Sequence, residues 1–517
     1  MGRDSRGEAA LAGLAAGALT LGVAEILAGL LARSVGTGGT PSPLLAVADS
    51  FVDLTPPWLK DAAVAAFGTA DKAALFVGMG VVLVLVCAGI GLLTRRRPAA
   101  GLAVFAIVGC VGLAGVLSRP EAAVPDAVPT VVGVVVGLLG LRRLVGRSAA
   151  AHGRTPALVP GELTRRRVLV QGGALAAVGV LGILVGRVVS GAGEAVRAAR
   201  AAFVVPSVAV PVTVPAGADP GVAGQTPYRT PNADFYRIDT ALVVPQVDPA
   251  TWRLRVHGLV EREVEIDIAE LLAQPMVEAL VTLTCVSNTV GGNLADNAVW
   301  TGWPVRELLA RAGPLPQADM VLSTSADGFT AGTPLEVLTD ERNALLAVGM
   351  NGEPLLPEHG FPVRMVVPGL YGYVSATKWV VDLRVTRFTD DQGYWTPRGW
   401  SAHGPVKTAS RIDVPRGGQV DAGRTVVAGV AWAQHRGISK VELRVDDGAW
   451  QETTLAAEPT VDSWRMWLLE WDALPGRHRL TVRATDGDGD TQTEQTAPPA
   501  PDGATGWHSV EVEVREG

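Results

Sequence analysis

Five long apolar stretches, roughly residues 9–32, 73–94, 101–118, 128–146 and 168–189, occupy most of the first 190 positions of this 517-residue chain. Each is near the ~20 residues that cross a bilayer core. A chain with five such stretches cannot bury them all in one water-soluble globule, so the N-terminal part is expected to be a bundle of about five membrane-spanning helices. Charge divides at the same place. Residues 1–190 carry 17 Lys+Arg against 10 Asp+Glu, and the remainder carries 27 against 41. An apolar, basic part is thus joined to an acidic one, and an acidic surface argues against nucleic acid as a partner.

The basic residues alternate between sides. Arg3 and Arg6 precede the first stretch, Arg95, Arg96 and Arg97 follow the second, and Arg142, Arg143, Arg147, Arg154, Arg165, Arg166 and Arg167 lie around the end of the fourth and before the fifth. The positive-inside rule then predicts a multi-pass cell-membrane protein with a cytoplasmic N-terminus and an extracytoplasmic region after residue 190. Thr164-Arg165-Arg166-Arg167-Val168 before an apolar run resembles a twin-arginine export signal, although plain positive-inside charge explains it equally. Glu25 lies inside the first stretch, where an ionisable residue is a functional candidate; pairing to a neighbouring helix is the simpler reading. No histidine falls within a stretch, so these helices are not expected to carry haem.

Beyond residue 190 the composition changes three times. Residues 191–225 are rich in Ala, Val and Pro and read as a linker. Residues 226–400 mix short strands (Trp252–Val256, Val363–Val367, Lys378–Val385) with short helices (Ile268–Ala273, Val305–Ala312), an α+β pattern without βαβ alternation. Residues 401–517 read as several short antiparallel strands separated by Asp/Gly turns, an all-β, Ig-like sandwich. No glycine-rich nucleotide loop is present.

Cys285 is the only cysteine outside the apolar part. It ends a strand-like run, Val281-Thr-Leu-Thr-Cys285, and enters the polar turn Val286-Ser-Asn-Thr-Val-Gly-Gly292. From the residues alone it is core packing, a nucleophile or a metal ligand. Further blocks follow it: Trp300-Thr301-Gly302, Met350-Asn-Gly-Glu-Pro-Leu355, His359-Gly-Phe-Pro-Val-Arg364, Val367-Pro-Gly369 and Thr377-Lys-Trp379. Together with the strand run at 427–432 and the tryptophans Trp450, Trp464 and Trp471, they resemble the sulfite oxidase family of molybdopterin-dependent oxidoreductases over residues 226–515.

The resemblance implies a Mo-molybdopterin cofactor, with Cys285 as the single protein thiolate on the metal, and a two-electron, oxygen-atom-transfer reaction on a small-molecule substrate. It also implies cofactor-binding roles for His359, Arg364 and Lys378, and for Asp327. Asn232-Ala-Asp-Phe-Tyr-Arg237 is similar to the family's first cofactor-binding block, which brings in Phe235, Tyr236 and Arg237. After it the chain departs from the family's Arg-x-His pair, reading Arg237-Ile238-Asp239. A second departure concerns substrate. Sulfite oxidases carry an arginine shortly after the cysteine, where this chain has Thr289 and Val290. A dianion needs fixed cations, so the expected substrate shifts from sulfite toward an S-oxide or N-oxide; Arg398 is the one alternative cation singled out nearby. An electron-transfer partner is implied without being identified, and a homodimer through the Ig-like region is left open.

Three other functions share some of these features. Sulfite oxidation within the same family stays open. A non-enzymatic, membrane-tethered Ig-like binding protein would not need Cys285, His359, Arg364 and Lys378 together. A Cys/His hydrolase needs a base beside the thiol, and no nucleophile-elbow motif surrounds Cys285.

Overall fold

The computed structural model describes residues 3–34, 41–56, 59, 66, 71–119, 122–152, 192–241 and 243–516. They divide into two compact units, one of residues 1–197 with 241–243, the other of residues 198–240 with 244–517.

In the first unit, four helices are long and apolar enough to cross a membrane: Arg6–Leu31, Ala74–Arg96, Pro98–Leu117 and Val124–Val145. They coincide with the first four apolar stretches. The fifth, 168–189, and the Arg165-Arg166 pair lie outside the described residues. Glycine sets the packing of the first helix. A Cβ on Gly13 would collide with the carbonyl oxygen of Cys87, and one on Gly17 with the Cys87 sulfur. Gly133 and Gly137 approach Thr20 in the same way. Both pairs are spaced four apart, the small-residue pattern that lets apolar helices touch along their backbones.

Between the first two apolar stretches lies a further helix, Pro43–Leu54. Ser42 caps it, accepting from the Leu45 amide at 3.3 Å while donating to Glu25 at 2.7 Å. Glu25 also accepts from the Leu44 amide. Its carboxylate therefore sits at a helix N-terminus, where backbone N–H groups and the dipole favour an anion.

The second unit holds four sheets. One has the strand order Val264–Asp267, Arg253–Gly258, Val380–Thr386, Met320–Ser325, Thr330–Pro334, with a parallel pair between Arg253–Gly258 and Val380–Thr386. The second, all antiparallel, runs Val277–Thr284, Ala295–Pro304, Leu345–Met350, Glu353–Pro354, with Arg364–Val366 also paired to Leu345–Met350. The helices Ile268–Leu272, Val305–Ala312 and Leu335–Thr339 cover the core between these strands, which includes Trp252, Trp303, Leu308 and Val380.

From Ala409 the chain is all strand in two sheets, one of four strands and one of five. They bury Val427, Trp467, Trp471, Leu443 and Val482 between them, as alternating strands with one apolar face require.

The expected linker at 191–225 is instead bound structure. It begins as the helix Ala192–Ala202. Arg200 donates to the carbonyls of Pro354 and Leu355 at 2.8 Å each, Phe203 packs edge-on against Phe361, and the Val212 amide donates to Glu278. An Ala/Val/Pro composition looks flexible in isolation, but here its backbone groups find partners on the domain.

Candidate active site

Cys285 follows directly on the strand Val277–Thr284. The turn after it is tightly bonded: the Cys285 amide donates to Leu294 O at 2.9 Å, the Asn288 amide to Cys285 O at 3.0 Å, and the Leu294 amide to the Asn288 side chain at 2.9 Å. The C-terminal sheets clamp the strand that delivers it. Gln434 donates to Thr282 O and Thr284 Oγ1 at 2.9 Å each, the Trp464 amide donates to Thr282 Oγ1 at 2.8 Å, and the Thr282 amide donates to Asp462 O at 3.0 Å.

The thiol opens into a cavity of ≈ 150 Å³. Of the eight residues singled out from sequence, seven line it: Phe235, Tyr236, Cys285, Asp327, His359, Arg364 and Lys378. Arg237 is not brought to the wall. Its guanidinium, 42% exposed, is turned to Asp239 at 2.5 Å.

Electrostatics set this cavity apart. Arg364 is 5% exposed, and among the described residues no carboxylate lies within 4 Å of its guanidinium. It donates to three backbone carbonyls, those of His359, Met365 and Ala376, at 3.2–3.4 Å, and lies over the Trp300 ring at 5.0 Å. Burial lowers its pKa to about 10. A desolvated cation with no counter-charge is costly unless an anion completes it.

Burial, followed by the charge of Arg364, pushes His359 down to about 4, so its ring is neutral near pH 7. Its Nε2 lies 3.2 Å from Asn232 O, and Phe235 packs edge-on against it at 5.6 Å. Lys378 pairs with Asp239 and donates to Glu358 O at 3.1 Å. Gly360 lets these groups converge. Its φ is +103°, and a Cβ there would meet the Cβ atoms of Arg364 and Lys378 at 3.0 and 3.1 Å. Burial raises the Cys285 thiol, partly offset by hydrogen bonds from Ser287. A thiol in this environment stays protonated until a metal or other cation draws off its proton.

Two carboxylates and an aromatic group escaped the sequence reading as site residues. Asp239 stands where the family's histidine was expected and links Arg237 to Lys378. Asp296 accepts from the Tyr236 amide at 2.6 Å and from Thr230 Oγ1 at 3.1 Å, holding the segment that carries Phe235 and Tyr236; burial raises it to about 6. Tyr373, Trp395 and Trp400 also line the cavity, and nothing in their spacing in the sequence points inward.

A second cavity, of ≈ 300 Å³, lies against the other part of the same turn and is lined by Thr289, Val290 and Gly291 together with Lys407 and Arg436. Its cations are already matched: Lys407 with Asp502 at 2.8 Å and Arg436 with Asp486 at 3.0 Å. Thr289 and Val290, the positions that lack the family's arginine, thus line the larger cavity and not the one at Cys285. Arg398 is engaged elsewhere, donating to Tyr394 O at 2.6 Å with its guanidinium 3.7 Å above the Tyr394 ring.

The donor set at Cys285 fits a molybdopterin. It offers one soft sulfur, buried cationic side chains for an anionic tail, and fixed polar groups for a ring system. Among the described residues no three His, Cys, Asp or Glu side chains cluster as a metal-binding set, so this chain would give the metal a single ligand and the cofactor would supply the rest.

Comparison with known proteins agrees. Residues 241–395 match the oxidoreductase molybdopterin binding domain. The oxidoreductase YuiH of Bacillus subtilis (strain 168) is 33% identical over 178 residues, covering 34% of this chain and 86% of that protein. Human mitochondrial sulfite oxidase is 30% identical over 321 residues, 52% of this chain and 58% of that protein. The match thus spans about three fifths of the length of the sulfite oxidases. Among solved structures, the sulfane dehydrogenase SoxCD from Paracoccus pantotrophus is similar over 60% of this chain and 88% of that one, at 21% identity and a TM-score of 0.49. The chain belongs to the sulfite oxidase family and is a molybdenum-dependent oxidoreductase that uses Mo-molybdopterin.

Proposed function

We propose that this protein is a membrane-anchored, extracytoplasmic molybdenum enzyme in which Cys285 is the protein ligand of the metal, and that it reduces a small neutral S-oxide or N-oxide. The observation that carries the site is the buried Arg364, without a carboxylate partner, in the cavity that Cys285 opens into. Arg364 and Lys378 supply positive charge for the cofactor's anionic tail, His359 and Asp327 supply polar contacts, and Phe235 and Tyr236 cover it, while Arg237 stays outside the wall, paired with Asp239. The bound cofactor supplies two-electron, oxygen-atom-transfer chemistry. Around it the protein excludes water, keeps His359 neutral and withholds any further cation from the substrate. The reaction takes up two electrons from a reduced one-electron carrier and two protons, and releases the sulfide or amine and one water.

The four apolar helices hold the enzyme at the membrane, and the arginine pattern of the sequence, counted with the apolar stretch 168–189, supports an extracytoplasmic second unit. The C-terminal two-sheet region serves as the Ig-like module through which a homodimer would form. The electron donor is a separate carrier.

X-ray absorption at the molybdenum edge tests the ligand. The wild-type protein is expected to show one more sulfur neighbour than Cys285→Ser; an equal count would refute ligation. Turnover assays test the substrate, using reduced viologen with methyl sulfoxides and trimethylamine N-oxide, against sulfite with ferricyanide. Sulfite oxidation without oxide reduction would favour the family's other reading.

A further inference from the structure

The aromatic part of the Cys285 cavity suggests how a substrate is chosen, and the inference rests on the oxide-reductase reading above. Only three lining residues are basic: His359, Arg364 and Lys378. His359 is neutral, and Arg364 and Lys378 belong with the cofactor. The rest of the lining includes three aromatic side chains, Tyr373, Trp395 and Trp400, that touch one another. Tyr373 and Trp400 lie with ring centroids 5.9 Å apart, and Trp395 and Trp400 at 6.2 Å, their planes at 52° and 73°. The three rings are half-buried and so form walls at an angle rather than one flat face. The Tyr373 hydroxyl is fixed on Ser401 O at 2.7 Å, so the phenol presents its ring to the cavity. Arg398, the further cation of this segment, is held over Tyr394.

Angled aromatic faces attract methyl groups and polarisable sulfur, and they give a small inorganic dianion no counter-charge to replace its water. We infer that Tyr373, Trp395 and Trp400 form the specificity wall of the site and select a neutral oxide whose sulfur or nitrogen carries methyl groups. The shared chemistry is a short X–O dipole flanked by methyl groups, found in alkyl sulfoxides and in tertiary amine oxides alike.

The test uses the full-length, molybdenum-loaded protein with reduced viologen as donor. For methyl phenyl sulfoxide and trimethylamine N-oxide, Trp400→Ala and Trp395→Ala are each expected to raise KM about 10-fold with kcat within about 3-fold, the size expected when part of an apolar pocket is lost. Trp400→Phe should recover most of the loss. A readout independent of turnover is the calorimetric Kd for methyl phenyl sulfone, which cannot be reduced in this way; it should weaken by a similar factor in both alanine variants. A larger effect on the sulfoxide names sulfoxides as the class, and a larger effect on the amine oxide names amine oxides. Should an alanine variant lose its molybdenum, Trp400→Leu, which keeps bulk without a ring, carries the same expectation. Oxide reduction with unchanged KM and sulfone binding in the variants would overturn the specificity wall alone. A wild-type enzyme that reduces neither oxide would overturn the functional reading, and this inference with it.

Discussion

The two cavities beside the Cys285–Gly292 turn differ in a way that volume does not reveal. The larger one is lined by charges that already have partners, Lys407 with Asp502 and Arg436 with Asp486. The smaller holds a buried arginine that no carboxylate among the described residues neutralises. A protein gains nothing by burying a lone cation unless something absent from the polypeptide completes it. Missing counter-charge, rather than empty space, marks the place for a ligand.

The sharpest way to break this comparison is to remove one arginine from each cavity. Arg364→Leu is expected to lower molybdenum per chain by more than about 10-fold, because an anion in a buried site loses its hydrogen-bonded cation. Arg436→Leu should leave the metal content near that of the wild type. Elemental analysis of the purified proteins decides. Equal losses would mean the cavities are not electrostatically distinct.

The same two variants should move the stability of cofactor-free protein in opposite directions. Arg364 is held at a depressed pKa by burial, so Arg364→Leu is expected to stabilise by roughly 1–3 kcal/mol. Arg436→Leu strands Asp486, whose side chain is 2% exposed, and is expected to destabilise by about 2 kcal/mol or more. Urea midpoints give both values.

A third comparison concerns pH. His359 titrates near 4 in the fold against 6.5 in the open chain, so its share of stability is complete above pH 6.5 and is lost as pH falls through 4. Asp296 titrates near 6 against 3.8, so its share is complete below 3.8 and is lost as pH rises through 6. Between about pH 4 and 6 the two slopes oppose one another. In cofactor-free protein, His359→Gln should therefore gain stability as pH falls from 6 to 4, and Asp296→Asn should lose it more steeply than the wild type. Melting temperatures across this window are the measurement, and parallel curves for all three proteins would refute the pair of shifts.

The smallest expected contrast lies in two glycines. Gly360→Ala forces a side chain between Arg364 and Lys378 at φ +103°, and Gly291→Ala forces one into the His508 ring at φ +74°. Each should cost about 1–3 kcal/mol. Only Gly360→Ala should also reduce molybdenum content, because of the two only that glycine lies between residues lining the Cys285 cavity.

Much of this molecule was legible from sequence, for physical reasons that differ by region. The four described helices long and apolar enough to cross a membrane were visible because continuous apolar runs of bilayer length have few other uses. Cys285, His359, Arg364 and Lys378 were visible because short motifs fix their order, and the fold brings them together. Asp239 was not, because it replaces the residue the motif led one to expect. Asp296 was hidden in Asp296-Asn297, a pair that reads as a turn. In the structure it lies inside the fully buried strand Ala295–Pro304, where Thr230, Thr282 and the Tyr228 carbonyl satisfy the two polar side chains. The linker at 191–225 was misread for a related reason: small apolar residues say little about whether a backbone will find partners at long range. Arg237 was carried over by a motif and then drawn away by Asp239, two residues on.

The bonds from Gln434, Asp462 and Trp464 to the strand ending at Cys285 have a temporal consequence. Those residues are translated some 150 to 180 positions after the cysteine. Until they leave the ribosome, the thiol's supporting strand lacks its clamp, and no nascent chain can offer a finished socket. The pocket around the thiol is therefore finished only after residue 464 has emerged, and a chain cut short before it would lack that support however intact its motifs.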